Sequence, residues 1–325
     1  MKTTESYYDR TKNFLKKVDL SQYGPLIALI ILVIISSFAS PYFLRWRNIT
    51  NVLRQISYTG IIALGMTFVI IAGGIDLSVG SMTAFVGGIV IILLNHFGGG
   101  LLAILIAIAA ALLMGAAAGA FNGLIITKGR VAPFIVTLGT WGMFRSLTLY
   151  ISGAGEFRSN SFLFPKLGMG YFLKIPIPVR VLLGLSVFYG ILLNKTKFGR
   201  YVCAVGSNER VAKYSAINVQ RIKFLTYIIT GFNVAVTSVL LSSRLNSINP
   251  TTAGSGFELD AIAAVIIGGT VLSGGTGSIL GTLIGAIILG IVNNMLNLLG
   301  VSPYLQGTVR GLVIIGAVLI QRKRS

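Results

Sequence analysis

NKTKFGRYVCAVGSNERVAKYSAINVQRIK, residues Asn194–Lys223, is the one long polar and basic stretch in a chain otherwise written in apolar runs. It carries Lys195, Lys197, Arg200, Arg210, Lys213, Arg221 and Lys223 against a single acid, Glu209. Sequence apolar enough for a membrane lies on both sides of it. An excess of Lys and Arg in loops marks the cytosolic face of a membrane protein. The stretch is therefore predicted to be a cytosolic loop, the place where any cytosolic partner has to dock.

Composition supports a life in lipid for the rest. With 54% hydrophobic and 11% charged residues over 325, and a mean hydropathy of +0.84, the chain lacks the polar surface of a soluble domain of its length. A net charge of +19 raises the question of nucleic acid. A nucleic-acid face, however, clusters its charges on a soluble surface among aromatic or glycine-rich platforms. Here the basic residues punctuate apolar runs, so membrane orientation accounts for them. Lipid is an expected partner and nucleic acid is not.

About 20 apolar residues cross a hydrocarbon core roughly 30 Å thick as a helix. By that measure about ten crossings are predicted, near residues 24–40, 52–72, 80–95, 101–126, 132–152, 179–193, 223–243, 259–272, 276–299 and 304–320. An even number returns both termini to one side. The tail with Arg10, Lys12, Lys16 and Lys17 and the end Arg322-Lys323-Arg324 are both basic, so both are expected in the cytosol. The chain thus divides into a tail over 1–23, a transmembrane domain over 24–321 that includes the 194–223 loop, and a basic end over 322–325. In the tail, Tyr7, Tyr8, Phe14 and Leu15 mix with basic residues as in a helix lying on the membrane surface, or as in a frayed terminus. The run from Pro25 reads as a retained anchor, because it is long and no A-x-A site precedes Pro41-Tyr42-Phe43.

Enzyme chemistry has little to work with. One cysteine, Cys203, excludes an internal disulfide, and one histidine, His96, without a carboxylate neighbour makes neither a triad nor a metal site. No catalytic or metal-binding residue is expected. The pairs Gly268-Gly269 and Gly274-Gly275 lack the following lysine of G-x-x-x-x-G-K-[ST], so no nucleotide is expected to be hydrolysed here by that route.

Glycine carries more information. Gly115, Gly119 and Gly123 form one ridge at four-residue spacing, and Gly277, Gly281 and Gly285 form another. Such ridges let a neighbouring backbone approach closely in lipid. The two halves also share short patterns: Gly119 and Gly290 are each followed three positions on by an asparagine, Asn122 and Asn293, and Gly74-Ile75-Asp76-Leu77 matches Gly256-Phe257-Glu258-Leu259. Because the second crossing runs inward and the seventh outward, the halves are predicted to form an inverted repeat. The segment Glu258–Gly277 has an apolar part too short to cross, so a broken or re-entrant helix is expected there. The fold class is therefore all-α, integral to the membrane, with about ten transmembrane helices, some of them broken.

The few acids stand at helix starts. Asp76 follows glycines that break one span, and Glu258 and Asp260 head another. Broken backbone at membrane depth survives around cavities or inside protein, which suits a polar route or a moving joint. Carboxylates at helix N-termini also satisfy free N–H groups and the dipole, which is the purely structural alternative.

Five stretches together resemble a known family. They are GGIDLSVGS at Gly73–Ser81, NGLIITKGRVAPFIVTLGT at Asn122–Thr140, Phe198-Gly199-Arg200, ELDAIAAVIIGGT at Glu258–Thr270 and NNMLNLLGVS at Asn293–Ser302. The chain resembles, from about Pro25 to Ala317, the permease subunits of bacterial ABC importers for simple sugars. The resemblance implies a homodimer in the bacterial cytoplasmic membrane. It implies as partners a cytosolic ATPase that holds ATP-Mg and a periplasmic or lipid-anchored binding protein that delivers a monosaccharide, ribose or a related pentose. The permease itself would bind no cofactor.

On that resemblance Gly199, Arg200, Gly206, Asn208, Glu209, Ala212 and Ser215 are similar to the segment that couples to the ATPase. Ser207 stands where a second glycine is frequent, and Ala216 where serine-glycine usually runs on. Ser207 is expected to cap a short helix over 208–215. The path or gate would draw on Asp76, Ser78, Ser81, Asn122, Glu258, Asp260, Asn293 and Asn294, since a neutral sugar needs hydroxyl and amide partners. Helix–helix hydrogen bonding would use the same residues. Arg244, Asn246 and Asn249 are expected to face the binding protein, and Arg145 needs an acid or carbonyls inside the bundle. An ion-coupled secondary transporter is the alternative, and it would place acids at the midplane instead of at helix ends.

Overall fold

The computed structural model describes residues 24–302 and, beyond them, 305–309, 311–312 and 315–316. The tail over 1–23, the basic end and part of the crossing expected near 304–320 lie outside the described residues. The first two helices are α1 (Gly24–Ala39) and α2 (Trp46–Ile71). After a break come α3 (Val79–His96), α4 (Leu101–Lys128) and α5 (Pro133–Ser152). A segment of short pieces follows: β1 (Phe157–Arg158), α6 (Pro165–Met169), β2 (Tyr171–Phe172) and β3 (Ile175–Pro176). Then come α7 (Ile177–Lys195), α8 (Lys197–Ser207), α9 (Glu209–Tyr214) and α10 (Val219–Leu245). The last pieces are β4 (Ser247–Ile248), α11 (Phe257–Ile267) and α12 (Ile279–Leu298).

Among the described residues seven helices, α2 to α5, α7, α10 and α12, are long and apolar enough to span a membrane. Two of the expected crossings are shorter than a span. The helix α1 has 16 residues, and α11 has 11, ending where Gly269 takes a left-handed φ of +88°. Of the broken or re-entrant helix expected over Glu258–Gly277, the structure bears out the break, because the paired glycines stop the helix at 11 residues, too few to cross.

The centre is α2, buried almost all round, against α10. They run antiparallel: Thr237 Oγ1 donates to the Tyr58 carbonyl at 3.1 Å, and farther along Gly65 lies against Thr230. Flanking them, α4 packs on α10 and α12 packs on α2. Gly115 and Gly119 meet Gly231 backbone to backbone, and Gly123 meets Phe224. On the other flank Thr67 and Thr282 share a hydrogen bond of 2.8 Å and Gly290 receives Ile56. The starts of α3 and α11 touch where Gly80 packs on Gly254 and Glu258. Such contacts are what a two-fold axis between α2 and α10 generates, exchanging α2, α3 and α4 with α10, α11 and α12. The inverted repeat is thus built into the packing. The first glycine ridge lies whole on α4, whereas Gly277 precedes α12 and only Gly281 and Gly285 lie on that helix, against Gly268 and Ala264.

The stretch over 194–223 folds into helices instead of a loop. Thr196 accepts from the Gly199 N–H to start α8, Asn208 accepts from the Arg210 and Val211 N–H groups to start α9, and Asn218 accepts from the Arg221 N–H to start α10. Ser207 does not cap α9. Its hydroxyl bonds back to the Cys203 carbonyl at 2.9 Å, closing α8, and the asparagine one position on takes the cap. The opposite side of the bundle carries the short pieces, tied by antiparallel pairing of β1 with β4 and of β2 with β3.

Candidate functional site

On the side away from α8 and α9, a cavity of about 280 Å³ opens between α2, α10, α11 and α12. Its polar lining is Gln55, Tyr58, Thr59, Arg244, Ser255, Asp260, Asn293 and Asn297, and Leu241, Phe257 and Leu289 supply apolar wall. The helices aim these groups by period. Asn293 and Asn297 are one turn apart on α12, and Asp260 sits in the first turn of α11, just past the break. The Arg244 guanidinium lies 5.7 Å from the centre of the Tyr58 ring, a cation–π distance, and Asn297 accepts from Gln306 Nε2 at 2.8 Å.

The two-fold counterpart of this region, between α10, α2, α3 and α4, is closed. There the space bounded by Val69, Gly74, Ile126 and Tyr227 measures about 10 Å³, scarcely one water. Beside it lies a cluster of buried polar groups that bond to one another. Asp76 accepts from the Ser78 N–H at 2.9 Å and from the Ser78 hydroxyl at 2.6 Å, Asn122 Nδ2 donates to Ser78 Oγ at 2.9 Å, and Ser81 donates to the Ser78 carbonyl at 3.0 Å. Tyr227 donates to the Ile75 carbonyl at 3.0 Å across the α2–α3 break. Asp76, Ser78, Ser81 and Asn122 are all fully buried. One expected path set therefore divides: Asp260 and Asn293 line the cavity, and these four form the closed cluster.

The remaining path candidates lie elsewhere. Asn294 exchanges hydrogen bonds with Asn48 at 2.9 and 3.0 Å, holding α12 to the start of α2. Glu258 sits at the meeting of the two breaks beside Gly80. Arg145 finds carbonyls, donating to Pro250 at 2.6 Å and Ala253 at 3.0 Å, and so holds the descending chain ahead of α11. Of the three residues expected at the outer surface, Arg244 reaches the cavity, Asn246 donates to the Ser159 carbonyl, and Asn249 caps a turn by accepting from Thr251 and Thr252.

The end of α2 and the loop between α11 and α12 converge on the end of α8. The Gly275 N–H donates to the Ile71 carbonyl at 2.9 Å, joining the end of α2 to the loop between α11 and α12. Gly206 packs its backbone on both, leaving no room for a Cβ, and Ser207 lies against Gly275. Gly199 and Ala212 are buried packing positions, whereas Arg200, Asn208, Glu209 and Ser215 are exposed. Glu209 pairs with Lys223 at 2.7 Å. Apolar Val211 is 57% exposed and Tyr214 90% exposed on α9. Burial pushes the Cys203 thiol up from its ordinary value, which keeps it out of the reactive thiolate form.

Gln55, Tyr58 and Asn297 were not legible as lining. They sit inside apolar runs, and the available signal was their helical spacing: Gln55 with Thr59, and Asn293 with Asn297, each four apart. The composition over 157–176 does not separate a structured connector from a plain one.

The family described as "Branched-chain amino acid transport system / permease component" matches residues 48–318. The ribose import permease protein of Bacillus subtilis (strain 168) is 48% identical over 94% of this chain and 94% of its own length. That of Escherichia coli (strain K12) is 44% identical over 97% and 98%. The D-allose transport system permease protein of the same strain is 39% identical over 93% and 91%. No solved structure matches. Matched over most of its length by the family and covered almost end to end by these relatives, the chain belongs to this family of multi-pass membrane permease components.

Proposed function

We propose that the chain is the permease subunit of an ATP-driven importer for a monosaccharide, ribose or a closely related pentose. Its relatives at 44–48% identity are ribose import permeases. Two copies form the translocator in the bacterial cytoplasmic membrane, with both termini and the α8–α9 face in the cytosol. A binding protein delivers sugar on the cavity side. ATP-Mg binds a separate ATPase, and this chain binds no cofactor of its own.

The observation that carries this reading is the joint at Gly206, where the α8–α9 unit touches the end of α2 and the loop ahead of α12 at once. A push on the exposed face of α9 then reaches the end of α2 and the loop ahead of α12 through packed backbone, which does not yield as a flexible loop would. Arg200 on α8 and Glu209 and Tyr214 on α9 face the ATPase. Proteoliposomes holding this chain, its ATPase subunit and a ribose-binding protein are expected to accumulate ribose only with ATP. Uptake that persists without ATP and without the ATPase would replace this reading with ion-coupled transport.

A further inference from the structure

The open cavity is richer in hydrogen-bonding groups than a passive water route requires. Gln55, Asn293 and Asn297 each bring an amide that both donates and accepts, Asp260 accepts, and Arg244 donates through a planar fork. Tyr58 and Phe257 add aromatic surface. At about 280 Å³ the space is close to the lower bound of about 300 Å³ for small-molecule sites, room for one sugar ring. Several of the groups are already held: Arg244 over Tyr58, Asn297 by Gln306, and Asp260 and Asn293 by further interactions within the protein. Side chains fixed in this way lose little freedom when a ligand arrives.

We infer that this cavity is a sugar-binding subsite of the permease itself, in which Gln55, Asn293, Asn297, Asp260 and Arg244 hydrogen-bond neighbouring hydroxyls of one monosaccharide ring. The inference rests on the importer reading above and adds that selection is shared by the permease. Chemistry favours a polyol over the other cargo that the family description suggests. A branched-chain amino acid would satisfy one cation and one anion partner. Its alkyl chain would then face amides that have given up water without gaining a partner, and each such group costs about 1–3 kcal/mol. A sugar offers a hydroxyl to every amide. The two-fold counterpart supports the same assignment: Asn122, the match of Asn293, bonds directly to Ser78 where no space remains for a ligand.

The test uses the reconstituted complex with its ATPase and a ribose-loaded binding protein. Gln55→Leu and Asn293→Leu are each expected to slow ribose import by about 2- to 10-fold, the worth of one hydrogen bond, with ATP hydrolysis by the assembled complex retained. In a separate variant, Thr59→Cys with Cys203→Ser, ribose but not leucine is expected to slow labelling of the new thiol during turnover. If the parent complex imports ribose while both leucine variants match it and the thiol is labelled at one rate with or without ribose, the subsite is overturned and the importer reading stands. If the parent complex imports leucine and not ribose, the monosaccharide reading itself fails. Should the leucine variants not assemble, protection of the thiol decides alone.

Discussion

The cavity between α2, α10, α11 and α12 and the cluster between α10, α2, α3 and α4 are made of equivalent helices, yet one encloses about 280 Å³ and the other about 10 Å³. Equivalent elements can therefore pack in two ways, one in which polar side chains line space and one in which they bond to each other. Because the halves are inverted, the open arrangement faces one side of the bundle and the closed arrangement the other. On the importer reading proposed above, exchanging the two arrangements would give alternating access, with the breaks before α3 and α11 as the places where backbone can give. The asymmetry is carried locally: Ser78, Asn122 and Tyr227 seal one side, whereas Arg244 stands over Tyr58 at the open mouth of the other.

The largest effect on this comparison is expected from Gly206→Val. A side chain there collides with the Ile71 carbonyl and the Gly275 N–H, backbone atoms that cannot move aside. Overpacking of this kind costs about 1–3 kcal/mol, and the variant is expected to hydrolyse ATP without importing sugar. Import at the parent rate would show that the joint does not carry the motion.

A smaller effect is expected from Asn122→Ala, which removes the bond to Ser78 and leaves Asp76 on Ser78 intact. Losing one net hydrogen bond, about 0.5–1.5 kcal/mol, shifts a two-state balance by about 2- to 10-fold. The closed side should open more often. Thr226→Cys, in the wall of the closed space, in a Cys203→Ser background is expected to label correspondingly faster, and an unchanged rate would mean that Ser78 and Asn122 do not hold the seal.

The smallest structural effect belongs to Glu209→Lys. The Glu209–Lys223 pair is exposed enough that its loss costs about 0–1 kcal/mol, so thermal stability in detergent should hardly move. Sugar import should fall nonetheless, because the changed charge lies on the face proposed above to meet the ATPase. A variant that is as stable as the parent and equally active would remove α9 from the coupling contact.

Much of this was legible in the chain. The apolar runs, the Lys and Arg excess over 194–223, the glycine ridge at Gly115, Gly119 and Gly123, and the short apolar part after Glu258 each follow from period, length or charge, which are local properties. The inverted repeat was readable from Gly74–Leu77 against Gly256–Leu259, because matched breaks need matched residues. What the chain by itself determined is an all-α membrane permease with two broken helices and one long basic stretch, whose helices the tertiary structure supplied. Only the tertiary structure decided that Asp260 and Asn293 line space while Asp76, Ser78 and Asn122 are sealed, that Arg145 bonds to carbonyls, and that Asn208 displaces Ser207 as the cap. The physical reason is that a polar residue in an apolar helix satisfies itself with whichever neighbour the packing brings near, and that neighbour lies far away in sequence.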